Sequence, residues 1–183
     1  CPTPSSMAAG SVTATSANLT WTAGASETTW DLEWKAGADF TPDNSEEDGS
    51  ASPTTTPAHS LSSLTANTTY YVYYRADCGG SGTSTWVGPF TFTTACGAVT
   101  TFPSTADMST HVPNACWSEA GSGEVADGPT GTTSDWRGSR SYQNSGGSTV
   151  NSNAINLYQN VDREWLLSEQ YDLSSGGPYQ LRV

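Results

Sequence analysis

Any chemistry in this 183-residue chain must come from its carboxylates, its two histidines, its four cysteines or its many hydroxyls. Asp31 and Glu33 are two residues apart and so share one face of an extended strand. Paired carboxylates are what glycoside hydrolysis requires. Lys35 continues the same face, and the three together predict a charged exterior turned to water. Asp43, Glu46, Glu47 and Asp48 crowd one short stretch and offer the several oxygens that calcium takes. Their spacing is not that of an EF-hand, and the stretch reads as a disordered acidic loop. His59 and His111 lie far apart in sequence, with no nucleophile spaced to meet either of them. There is no G-x-S-x-G elbow, H-E-x-x-H pair or phosphate-binding loop. Ala120-Gly121-Ser122-Gly123 and Gly146-Gly147-Ser148 are turn sequences. The expectation is a chain with no catalytic residue and no resident cofactor, not an enzyme.

The cysteines are Cys1, Cys78, Cys96 and Cys116, with no C-x-x-C pair among them. Without that closely spaced pair, and with only His59 and His111 to supply imidazole, the cysteines do not read as a zinc cage. An even count in an acidic chain with 53 Ser and Thr residues points to two disulfides and an oxidising compartment. The count alone leaves three pairings open. Cys1-Pro2-Thr3-Pro4 lacks the basic region and apolar core of a secretory leader, so a secreted protein would hold this chain as an internal piece. Eighteen acids against six bases give a net charge of −12. That excess excludes a nucleic-acid binder, which needs clustered cations on the phosphate backbone. No apolar run approaches the roughly 20 residues of a bilayer-spanning helix, so no membrane insertion is expected.

The elements that must position these groups are strands. Ala17, Leu19 and Trp21 alternate with polar residues, as do Trp30, Leu32 and Trp34. Tyr70, Val72, Tyr74 and Ala76 form an inward row, leaving Tyr71, Tyr73 and Arg75 outward. Pro89 to Thr94 reads as another strand. Short alternating runs split by Gly, Pro, Asn and Ser indicate a β-sandwich of about 95 residues.

Residues 1–96 resemble a fibronectin type III domain. The resemblance rests on Leu19-Thr20-Trp21-Thr22, on the Trp30/Leu32/Trp34 strand, and on Leu64 through Ala76, where Ala66 stands at the family's usual Pro. The Ala76-Asp77-Cys78-Gly79 variant, followed by Trp86 to Thr94, is similar to modules in secreted multidomain proteins of the Bacteroidota. The resemblance implies a seven-stranded sandwich in which Tyr70 is the tyrosine corner. In that topology the first strand begins, and the sixth ends, at one pole. Cys1 is therefore expected to meet Cys78, which leaves Cys96 to pair with Cys116 at the junction or at the start of the next module. Tyr71 and Tyr73 would stand on a central strand beside Asp31, Glu33 and Lys35. Rings edged with hydrogen-bonding groups can stack on sugars, which makes Tyr71, Tyr73, Asp31 and Glu33 the candidate ligand contacts.

Residues 97–183 resemble the first part of a MAM-like jelly-roll domain of the choice-of-anchor type. The carriers are Cys116-Trp117, Trp136, Ala154 to Tyr158, and Trp165 to Leu173, where Gln170 shifts the family spacing and Glu169 replaces its Pro. Trp117, Trp136 and Trp165 read as core. The resemblance implies a partial jelly-roll β-sandwich with an open edge at a predicted strand from Tyr179 to Val183. It also implies a calcium site at which Asp107 is the candidate ligand. The expected fold class is all-β. The expected role is a non-catalytic adhesion or spacer segment of a large secreted or cell-surface protein, contacting its other domains and polysaccharide or cell-surface glycan. Two alternatives follow. One is a substrate-binding accessory region of a secreted peptidase or polysaccharide hydrolase. The other is a fibre subunit completed by strand addition from a neighbouring subunit.

Overall fold

A computed structural model of the chain describes residues 1–106, 112, 115–132, 137–143, 147, 149–154 and 164–180. The protein is all-β and divides into two compact units, Cys1–Gly97 and Ala98–Val183.

The first unit has seven strands: β1 (Ser5–Gly10), β2 (Ala17–Thr22), β3 (Thr29–Ala36), β4 (Gly49–Thr54), β5 (Ala58–Leu61), β6 (Thr69–Asp77) and β7 (Val87–Thr93). They form a three-stranded sheet, β1-β2-β5, and a four-stranded sheet, β4-β3-β6-β7, with every pairing antiparallel. This is the sandwich with a fibronectin type III-like fold that the sequence implied. Alternation decides which side chains enter. Ala17, Leu19 and Trp21 of β2 are buried and the residues between them exposed. Tyr70, Val72, Tyr74 and Ala76 of β6 are likewise buried in a strict period of two. Leu19, Leu32 and Val72 are the largest side chains fully withdrawn from water, each worth about 1.5–3 kcal/mol of apolar burial. Trp21 meets Trp30 edge-on at 5.9 Å, and Tyr70 stacks on Phe92 at 5.6 Å. The two strands that contain proline, β4 with Pro53 and β7 with Pro89, are the edges of the larger sheet, where a missing N–H costs least.

Two local ties close this sandwich. The Tyr70 hydroxyl accepts a hydrogen bond from the Thr65 N–H at 2.9 Å, the upstream backbone contact of a tyrosine corner. Tyr70→Phe keeps the ring but orphans that N–H. The expected cost is about 1–2 kcal/mol, read from the urea midpoint at unchanged slope. The second tie is the Cys1–Cys78 disulfide, which joins the start of the chain to the end of β6 with Cα atoms 5.7 Å apart. Cys96 and Cys116 are disulfide-bonded as well, and no cysteine is free.

In the second unit β8 (Ser118–Ala120) pairs with β11 (Trp165–Leu167), and β9 (Arg137–Gln143) with β10 (Thr149–Ala154), all antiparallel. Val99 bridges in parallel to Tyr171, its N–H donating to the Gln170 carbonyl at 2.8 Å. Trp117 and Trp165 are half-buried. The expectation of a strand starting at Tyr179 is corrected for the residues described: Tyr179 and Gln180 are in no strand. The Tyr179 ring instead lies 5.4 Å from Phe102 and its hydroxyl meets Ser175 Oγ at 2.8 Å, which folds this segment onto its own unit. Asp107, His111, Trp136, the segment 155–163 and the last three residues fall outside the described residues.

Candidate functional site: the outer face of the four-stranded sheet

The register of β3 on β6 sets Asp31 opposite Arg75, Glu33 opposite Tyr73 and Lys35 opposite Tyr71. With the core row turned inward, this second row forms the sheet's outer face. The sequence predicted a solvated surface here, and the structure corrects that: Asp31 is 7 % exposed and Glu33 9 %. The connection from β3 to β4 covers them. Phe40, the only aromatic residue between Gly37 and Gly49, is buried and sits edge-on against the Tyr73 ring at 5.1 Å. This contact draws the acidic loop back over the sheet, so that loop is ordered rather than disordered.

Three of the loop's aspartates, Asp39, Asp43 and Asp48, bond back to the sheet. The Asp43 N–H donates to Glu33 Oε2 at 3.1 Å. The Asp43 carboxylate accepts from Arg75 Nη1 at 2.9 Å and from the Trp86 indole at 2.8 Å. Arg75 Nε donates to Asp31 Oδ2 at 2.9 Å, and the other Asp31 oxygen accepts from the Ser52 hydroxyl. The guanidinium lies 4.3 Å over the Trp86 ring, a cation–π contact. Tyr73 donates its hydroxyl to Asp39 at 2.9 Å, and Asp48 accepts from the Ala36 N–H at 2.7 Å. The result is a network that binds β3, β4, β6, the acidic loop and Trp86 into one piece.

Electrostatics follow from this packing. Burial pushes the Glu33 carboxyl up; the Asp43 N–H opposes this, the charges of Glu47 and Asp43 add to it, and Arg75 pulls back. Burial also works against the Arg75 charge, but hydrogen bonds and attraction from Asp31 and Asp43 outweigh it, and its pKa is raised. Tyr73 is raised by burial and by its bond to Asp39. On the opposite sheet, burial lowers His59, whose ring lies 5.7 Å from Trp34; this is packing rather than general-base chemistry.

Glu33 has a consequence for pH. A carboxyl raised by folding binds its proton more tightly in the native state. Its contribution to stability is complete below its unfolded pKa and is lost as pH rises through the raised native value. Glu33→Gln removes that loss. The stability difference between the variant and the parent should therefore shift in the variant's favour from pH 4 to pH 7, as measured by urea titrations at each pH. A difference that stays flat would contradict the burial of this carboxyl.

Of the four expected ligand contacts, Asp31, Glu33 and Tyr73 are engaged inside the network. Tyr71 is half-buried, opposite Lys35 and Thr91, and its hydroxyl makes no hydrogen bond among the described residues. Sequence reasoning missed Phe40, Asp39, Asp43 and Trp86 as parts of this face. The lone aromatic in an acidic stretch was the available signal. It also missed a second aromatic group: Phe102 lies 6.2 Å from Tyr171 and 5.4 Å from Tyr179, and each ring is about 40 % exposed. A cavity of about 500 Å³ in the second unit is lined by Val112, Trp117, Ala120, Pro129 and Leu167, among others. The Trp117 indole N–H is buried without a hydrogen-bond partner among the described residues. Among the described residues no three His, Cys, Asp or Glu side chains are grouped as a cation would need, and Asp107 lies outside them. No helix of the described residues is long and apolar enough to cross a membrane.

No family model matches the chain, and no curated protein matches it. Among solved structures, a fibronectin type III domain of human collagen XX is 22 % identical, covering 51 % of this chain and 92 % of its own, with a TM-score of 0.41. The fifth such domain of Drosophila Lar is 14 % identical, covering 53 % of this chain and all of its own, with a TM-score of 0.41.

Proposed function

We propose that the chain is a non-catalytic adhesion or spacer segment of a larger secreted or cell-surface protein. In this reading residues 1–96 are a fibronectin type III-like module and residues 97–183 the first part of a MAM-like jelly roll, with Cys96 bonded to Cys116. The observation that carries it is the covering of Asp31 and Glu33 on the outer face of the four-stranded sheet and their engagement with Arg75 and the acidic loop. The carboxylates and the cation of that face hold the fold. Cross-linking through Cys1–Cys78 supports an oxidising, extracellular setting. An acidic surface spread over both modules, −7 for residues 1–96 and −5 for the rest, discourages self-association and adhesion to acidic partners.

The contact surface we assign is a glycan-stacking position at Tyr71, flanked by Lys35. A glycan array probed with the full chain tests both parts. Tyr71→Ala should weaken binding about tenfold or more, the loss of one stacked ring and its buried area. Tyr73→Phe should leave binding unchanged, because the hydroxyl it removes is committed to Asp39. Binding insensitive to Tyr71→Ala would discard the stacking position, and turnover of any arrayed glycan would discard the non-catalytic reading.

A further inference from the structure

We propose that the Cys1–Cys78 bridge takes most of the first unit out of the path of tension, making it a short-travel tether whose stretch is confined to residues 79–95. The inference deepens the spacer reading and takes its biological sense from it, whereas its mechanics rest on topology alone. Tension along the chain reaches Cys1 and crosses the disulfide to Cys78, 77 residues further on. Strands β1 to β6 remain behind the bridge as a closed loop that the pull cannot lengthen. Load then runs through the turn Gly79–Ser81, along β7, and out past Thr94.

The geometry of that last strand makes the tether stiff. β7 is antiparallel to β6, with Thr93 opposite Thr69 and Val87 opposite Tyr74. The pull reaches β6 at its C-terminal end and leaves β7 at its own C-terminal end, at the opposite pole. The two strands are therefore drawn past each other lengthwise. Their ladder bonds lie across the strands and bear this load together, rather than opening one at a time. The exit is reinforced. Thr94 is 3 % exposed; its N–H donates to the Thr68 carbonyl at 3.0 Å and its hydroxyl to the Thr65 carbonyl at 2.7 Å. Ala95 donates to the Thr13 carbonyl and accepts from the Asn67 N–H, both at 3.0 Å, which ties the end of β7 to the connection between β1 and β2. At the entry, Ser84 and Ala76 exchange two hydrogen bonds, N–H to carbonyl at 2.9 Å and N–H to hydroxyl at 3.0 Å.

Pulling the full chain between its two ends in an optical trap tests this. Opening the first unit should lengthen the oxidised protein by less than about 60 Å, the full reach of residues 79–95 before the distance they already span when folded is taken off. In Cys1→Ser/Cys78→Ser the same event should release the 77 sequestered residues as well, adding about 270 Å, a more than fivefold larger step. A step of about 270 Å or more in the parent protein, or one that the double substitution leaves unchanged, would overturn the tether. If the double variant does not fold, the parent's step size decides alone. A long parental step discards the tether and leaves the spacer reading intact, whereas glycan turnover discards that reading and leaves the step size unaffected.

Discussion

Cys1→Ser/Cys78→Ser should lose about 3–5 kcal/mol of unfolding free energy in non-reducing urea titrations. The bridge closes a loop of 77 residues, and cross-linking a loop that long removes much of the denatured chain's freedom. A small domain has only about 5–15 kcal/mol in hand, so the variant should sit near the edge of folding. The pairing also secures β1, an edge strand that pairs with β2 alone: SSMAAG carries no large apolar residue except Met7 and its ladder with β2 is irregular between Ser5 and Ala8. β1 should therefore be the first strand to exchange its amide hydrogens in the variant. A loss under 1 kcal/mol would mean that the bridge adds little to the ordering of the sandwich.

Arg75→Ala should cost about 2–4 kcal/mol. The substitution leaves Asp31 buried among β3, β4 and β6 without its counter-charge, and removes a donor and a ring contact from Asp43 and Trp86. The figure lies somewhat below that for a fully buried pair because the Arg75 side chain is 21 % exposed and that of Asp43 55 %. Arg75→Lys should recover only part of the loss, since an ammonium can neither fork between two carboxylates nor lie flat over the Trp86 indole. Adding Asp31→Asn to Arg75→Ala should restore stability in part, and that coupling in a double-mutant cycle separates pairing from packing. An Arg75→Ala variant as stable as the parent would make the outer face a free surface.

Much of the first unit was legible because period-two alternation marks a half-buried strand without ambiguity. Trp30 and Leu32 on β3, and the four-residue inward row on β6, stand where their spacing puts them. Strands β1, β4 and β5 were not readable that way. SSMAAG, GSASPT and AHSL lack β-branched or aromatic alternation, and their neighbours hold them as strands through pairing. The outer face was misjudged for a related reason. Charges on alternate positions look solvated when only their own strand is considered, and what buries Asp31 and Glu33 is the loop that follows their strand and folds back over it, anchored by Phe40. Pattern reveals which face of a strand is polar, but not what folds down over it.

The sandwich topology is read most directly from how the cysteines pair. Proteolysis without reduction, followed by mass spectrometry, should recover Cys1 covalently joined to Cys78, the product of strands that begin and end at the same pole. A peptide joining Cys1 to Cys96 or to Cys116 would contradict the sandwich topology, and the stability and load-path predictions with it.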